Sequence, residues 1–265
     1  MPSGRKSRDG RVRVRYRRDD GRFADTTLDR LAVEDVVAGL PVREFRSYQG
    51  RLHYSGWYWS SSMSRLLAYE SRLELARIML ADFDPSVAGI AAQPFLLDGT
   101  DGTRDRRHVP DLLLVSADGG VTVVDFKAPS RLADPGVRAQ FAWTRRVCDG
   151  RGWAFEAWSG ADPRLLANVR FLAGYRRLAV IDTGLTAVVL GAAAGQSSAG
   201  AIERALSVRH PPVLVRPVVL HLLWTGHLQA DLTRPLSAET PVWLGGAMTD
   251  ERTVPDADAR STAGL

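Results

Sequence analysis

From Arg65 to Ala81 the apolar residues Leu66, Leu67, Leu73, Ile78 and Leu80 recur at helical spacing, with no Gly or Pro among them. The spacing predicts the longest amphipathic helix of the chain. Ser60, Ser61 and Ser62 stand just ahead of it as cap candidates, and Asp82 to Pro85 closes it. Val87 to Leu97 then reads as a strand interrupted at Pro94, followed by a polar loop from Asp98 to Arg107. Two β-rich runs, Asp111 to Val115 and Val121 to Phe126, flank the turn sequence Ala117, Asp118, Gly119, Gly120, which predicts an antiparallel hairpin. A helix from Val137 to Cys148, a strand from Trp153 to Trp158 and a helix from Pro163 to Tyr175 complete an α/β pattern, a mixed sheet flanked by helices.

Outside this core the pattern weakens. Thr26 to Leu40 alternates apolar and acidic residues ahead of Pro41 and reads as a short helix and linker. The segment from Phe45 to Ser62 is rich in aromatics (Tyr48, Tyr54, Trp57, Tyr58, Trp59), for which core burial is commoner than base stacking. Gly191 to Gly200 is a small-residue stretch that reads as a boundary. Beyond it come helical patterns at Ala201 to Val208 and Val213 to Trp224 and a short alternating run at Leu228 to Leu232, an order compatible with a winged-helix module. The expected organisation is an arm and linker over 1–44, a core over 45–190, the module over 191–250 and a disordered tail over 251–265.

Charge changes the picture at the N-terminus. Residues 1–22 hold nine Lys/Arg against three Asp, whereas the whole chain carries only +5. The rest is therefore close to neutral. Such an arm suits phosphate contacts, because each neutralised phosphate releases counterions, and Arg11, Arg13, Arg15, Arg17 and Arg18 are its candidate DNA ligands. The competing reading is a solvated tail. With one cysteine, Cys148, there is no internal disulfide framework, and a cytoplasmic location is expected in the absence of a signal-peptide pattern or a long apolar run. The five histidines and Cys148 show no zinc-ligand spacing.

The hairpin carries the candidate chemistry. Asp111 opens its first strand; Asp125 and Lys127 lie near the end of the second, on one face, because strand side chains alternate. Pairing brings Asp111 across to Asp125. Carboxylates that hold a hard cation such as Mg²⁺ or Mn²⁺, beside an ammonium that offsets charge on phosphate, are the residue types that phosphodiester hydrolysis needs. A third carboxylate is expected from the preceding helix. Glu74 shares the stripe of Leu67 and Ile78 while Glu70 is turned about 40° away, so Glu74 is the better inward candidate. Gln93 and His108 are further candidates for contact with DNA near that site.

In order, Tyr69-Glu70-Ser71-Arg72-Leu73-Glu74, Asp84-Pro85-Ser86-Val87, Gln93-Pro94, Val109-Pro110-Asp111 and Val124-Asp125-Phe126-Lys127 resemble TnsA-like endonuclease subunits of heteromeric bacterial transposases, over about residues 45–160. The resemblance implies a restriction-endonuclease-like core in which Glu74, Asp111 and Lys127 are catalytic and Asp125 stands where Glu or Gln is common. It also implies a subunit that hydrolyses double-stranded DNA at the 5′ ends of a mobile element, with a DDE-type transposase and an ATPase regulator as candidate partners. Two alternatives remain open at this point: a stand-alone restriction or repair nuclease, and a non-catalytic DNA-binding assembly protein.

Overall fold

The computed structural model describes residues 12–43 and 54–246. They fall into two compact units. One runs to Ala179 and includes Leu232–Leu236; the other comprises Val180–Asp231 and the segment from Ser237.

In the first unit, β1 (Arg13–Arg17), β2 (Phe23–Thr27), β6 (Phe95–Thr100) and β7 (Asp105–His108) form an antiparallel sheet in the order β2-β1-β6-β7. A second, mixed sheet has the order β10-β9-β8-β5, from β5 (Val87–Ala92), β8 (Leu112–Ser116), β9 (Val121–Phe126) and β10 (Ala154–Trp158). Only β10 with β9 is parallel, and the crossover between them is α3 (Pro135–Asp149). Helix α2 (Arg72–Phe83) precedes β5 and packs on it and on α4 (Pro163–Leu172). The two sheets share a core: Val14, Tyr16, Phe95 and Leu97 from one, Leu113, Val121 and Val123 from the other, with Trp143, Cys148 and Trp153 between.

The expected hairpin is formed, and Gly119 takes φ 85 in its turn, a conformation that costs glycine little. The helix expected from Arg65 starts later. Residues Arg65–Tyr69 are strand β4, paired with β3 (Gly56–Ser60), because Leu66 and Leu67 alternate, 51% and 2% exposed, against the aromatic strand Trp57-Tyr58-Trp59. Helix α2 begins only after Ser71, whose Oγ accepts from Glu74 N at 3.1 Å. Ser60, Ser61 and Ser62 therefore cap no helix start. They ring the buried Asp82 carboxylate, which accepts from Ser60 Oγ (2.7 Å), Ser62 N (2.8 Å), Ser62 Oγ (2.7 Å), Ser61 N (3.1 Å) and Tyr58 OH (2.8 Å), tying the β3–β4 hairpin to the last turn of α2. Arg65 adds a second tie. Its guanidinium donates to Val37 O and Gly39 O at the end of α1 (Val33–Ala38), satisfying carbonyls that a helix end leaves bare.

Two further expectations are corrected. The polar loop over 98–107 is in large part β-hairpin, since β6 continues to Thr100 and β7 pairs with it. The basic arm is folded where it is described: β1 lies inside its sheet, Arg13 is paired with Asp98 at 3.1 Å and Arg15 with Asp25 at 2.7 Å. Arg17 donates to Gly21 O, and Arg18 is exposed in the β1–β2 turn. Arg11 and the tail over 251–265 lie outside the described residues.

The second unit contains α5 (Thr186–Ala193), α6 (Ala199–Leu206), α7 (Pro212–Trp224) and the strands β11 (Leu228–Gln229) and β12 (Trp243–Leu244). The stretch from Gly191 starts inside α5 because its alanines extend a helix readily. Within α6, a Cβ on Gly200 would stand 2.8 Å from Ala238 O, so the close approach of that turn requires glycine. Helix α7 is buried from Val218 to Trp224 and is the core of this unit. Among the described residues no helix is long and apolar enough to cross a membrane.

Two outcomes follow from these contacts. Deleting residues 1–22 removes an interior strand and uncovers Phe95 and Leu97, so the melting temperature should fall by more than about 10 °C in a thermal melt. Asp82→Asn faces hydroxyl and amide donors with an NH₂ group. Chemical denaturation should show a loss of about 3 kcal/mol.

Candidate active site

Strands β8 and β9 pair with Leu112 opposite Val124, so the next step of the ladder sets Asp111 across from Asp125. The ladder ends there, and side chains take over its hydrogen bonds. Phe126 N donates to Asp111 Oδ2 at 2.8 Å, and Asp111 N reaches Asp125 Oδ1 at 3.3 Å. Asp125 is 2% exposed. His108, at the end of β7, places Nε2 at 2.7 Å from Asp125 Oδ2 and 3.0 Å from Oδ1. Lys127 follows directly after β9, half-buried, with its N–H donated to Trp158 O at the end of β10.

Glu74 lies in the first turn of α2, where Glu70 N and Ser71 Oγ donate to its carboxylate at 2.7 and 3.0 Å. This is a variant of the capping box, in which an acidic side chain three residues into a helix satisfies backbone donors at its start. Glu70 itself precedes the helix. The 40° comparison between the two glutamates therefore does not apply; what distinguishes Glu74 is that the charge of Asp111 is felt at its carboxyl.

Electrostatics sets these groups apart. Burial, and then the neighbouring charges of Asp111 and Glu70, push Glu74 up to about 7 against the pull of the Glu70 amide and Ser71. Burial, and then Asp125, push Asp111 up to about 6 against the Phe126 amide, His108 and Lys127. These are carboxylates held near one another with too little compensating charge. Among the described residues no group of three or more His, Cys, Asp or Glu is gathered as a ready metal cluster. Each acid is instead engaged with a protein donor: Asp125 with His108, Asp111 with Phe126, Glu74 with its own helix start.

Two sequence candidates take different places from those expected. Gln93 is 3% exposed, with φ 46, so its side chain is not displayed to DNA; its backbone bridges the site, accepting from Val42 N and donating to Asp111 O at 2.9 Å. His108 points at Asp125 rather than outward. That contact was missed because it depends on β7 pairing with β6, within a segment that reads as a polar loop. No protein-family profile matches the chain, and no curated protein matches it.

The raised acids have a consequence for stability. A carboxyl whose folded pKa exceeds its unfolded value holds more protons when folded, so stability falls as pH rises from the unfolded value, 4.5 for Glu74, through about 7. Glu74→Gln removes that loss while keeping an oxygen for Glu70 N–H. Melting curves should show the variant roughly 5 °C above the parent at pH 8 and equal to it near pH 4. A parent whose melting temperature does not fall between these pH values contradicts the assignment.

Proposed function

We propose that the chain is a metal-dependent DNA endonuclease, acting as the subunit of a heteromeric transposase that hydrolyses phosphodiester bonds at the 5′ ends of a mobile element. The observation that carries the reading is the meeting of Asp111 and Asp125 at one end of the mixed sheet, with Lys127 near enough for its charge to act on Asp111 and Glu74 near enough to feel the charge of Asp111. The sheet with α2 and α3 supports a restriction-endonuclease-like core, and the helices and short hairpin of the C-terminal unit support a winged-helix module.

The donor set fits a hard divalent cation. Mg²⁺ is commonly bound through one or two carboxylates, with water and substrate phosphate completing its shell, and Asp111 and Asp125 would hold it, with Glu74 as a third carboxylate. A bound Mg²⁺ or Mn²⁺ supplies Lewis-acid chemistry, making water more acidic and offsetting charge on phosphate. The chain does the rest. The Lys127 ammonium, whose charge lowers the Asp111 carboxyl, would counter negative charge on the scissile phosphate. His108 fixes the Asp125 carboxylate in place, and the Phe126 amide does so for Asp111. The pinned helix start keeps Glu74 at the same edge.

The capping role of Glu74 favours, as a second reading, a DNA-binding assembly protein without catalysis. Nicking assays separate the two. Asp111→Asn and Lys127→Ala should each lower strand cleavage at least about 100-fold while DNA affinity stays within a few-fold, because both groups act on the transition state. Glu70→Gln should leave cleavage nearly unchanged. Full cleavage by Lys127→Ala removes this site; a parent with no cleavage in Mg²⁺ or Mn²⁺, alone or with a partner transposase, leaves the assembly reading.

A further inference from the structure

Several arginines of the first unit face a carboxylate: Arg15 is paired with Asp25, Arg106 with Asp101 and Arg77 with Glu156, and Arg13 and Arg107 share Asp98. Along α3 the balance is different. From Lys127 to Arg151 the chain holds Lys127, Arg131, Arg138, Arg145, Arg146 and Arg151 against Asp134 and Asp149. Among the described residues, none of Arg138, Arg145 and Arg146 lies within ion-pair distance of a carboxylate.

We propose that the exposed face of α3 is a phosphate-contact surface for double-stranded DNA, running from Lys127 along Arg138 and Arg145. Trp143, Thr144 and Cys148 turn one side of α3 into the core, which leaves Arg138, Ala142 and Arg145 in line on the opposite, exposed side. Arg138 and Arg145 are two turns, about 10 Å, apart along the axis. A duplex carries one charge per about 1.7 Å of its length, so a run of that length meets several phosphates, and the small Ala142 between the arginines lets a backbone approach. Helix stability does not explain the pattern. Arg138 stands near the start of α3, where a cation opposes the helix dipole and the one acidic side chain, the N-cap Asp134, accepts from the Gly136 and Val137 amides. Arg145 is further held in place by the Phe155 ring, 5.5 Å from its guanidinium carbon. The run starts beside the candidate site, because Lys127 directly follows β9, which carries Asp125 near its end. This surface rests on the nuclease reading for its choice of DNA.

The test is the affinity of the full chain for a duplex of about 30 base pairs, measured in EDTA across a salt series. Arg138→Gln/Arg145→Gln should weaken binding about tenfold at moderate salt and reduce the slope of log affinity against log salt by about 2, each single variant contributing about half. Arg138→Lys/Arg145→Lys should keep the parent slope. An unchanged slope in the glutamine variants overturns the proposal, as does a loss of polyglutamate binding with duplex binding intact. If the glutamine double variant does not fold by circular dichroism, the single variants decide. Binding through these arginines by a chain that never nicks leaves the surface standing and removes the nuclease reading; nicking with an unchanged slope does the reverse.

Discussion

The pairing of β8 with β9 constrains everything built around it. A side chain changes face with every residue of a strand, so a shift of one position would turn Asp125 toward α2 and bring Val124 to where His108 lies. What prevents the shift is burial on both faces. Leu113, Val121 and Val123 face the core shared with the first sheet, and Leu112, Val124 and Phe126 are buried on the other side. The turn through Gly119 fixes the far end. The acids at the near end thus owe their placement to apolar residues that take no part in their chemistry.

Buried carboxylates in this molecule are treated in two ways. Asp82 is surrounded by serine and tyrosine hydroxyls and backbone amides, which replace the water it has lost and make it a rivet between hairpin and helix. Asp111 and Glu74 receive fewer donors and face other negative groups, and both are driven toward the neutral form. The same chemical group ties elements together where the donors suffice and is driven toward its neutral form where they do not. His108 belongs to the second environment: its imbalance is reduced by one imidazole, shared between both oxygens of Asp125.

Much of the mixed sheet was legible in the chain. The β8–β9 hairpin, α3, β10 and α4 each have a local signal: a Gly-Gly turn, an Asp-Pro helix start, or an apolar run of strand length. The meeting of Asp111 with Asp125 followed from alternation alone. What escaped was non-local. Leu66 and Leu67 fit a helix as well as a strand, and only pairing with Trp59 and Tyr58 decides between them. The arginines of β1 look like a solvated arm until Asp98, far along the chain, arrives to pair with Arg13, and β2 brings Asp25 to Arg15. Glu74 was identified on a helical stripe that in fact starts only at Arg72, so the residue stood out for a reason the fold does not share.

The position of β1 bears on the order in which the molecule can be assembled. Arg13 meets Asp98 across 85 residues, and β1 lies between β2 and β6. During synthesis the β1–β2 ribbon must wait for β6 to emerge, with Val14 and Tyr16 unburied in the meantime, and a lone hairpin of this kind has little stability in water. Closing so long a loop is an entropic cost met before the contacts that reward it. The segment richest in charge is also the one that waits longest, and its arginines keep it solvated until the shared core closes over its apolar side.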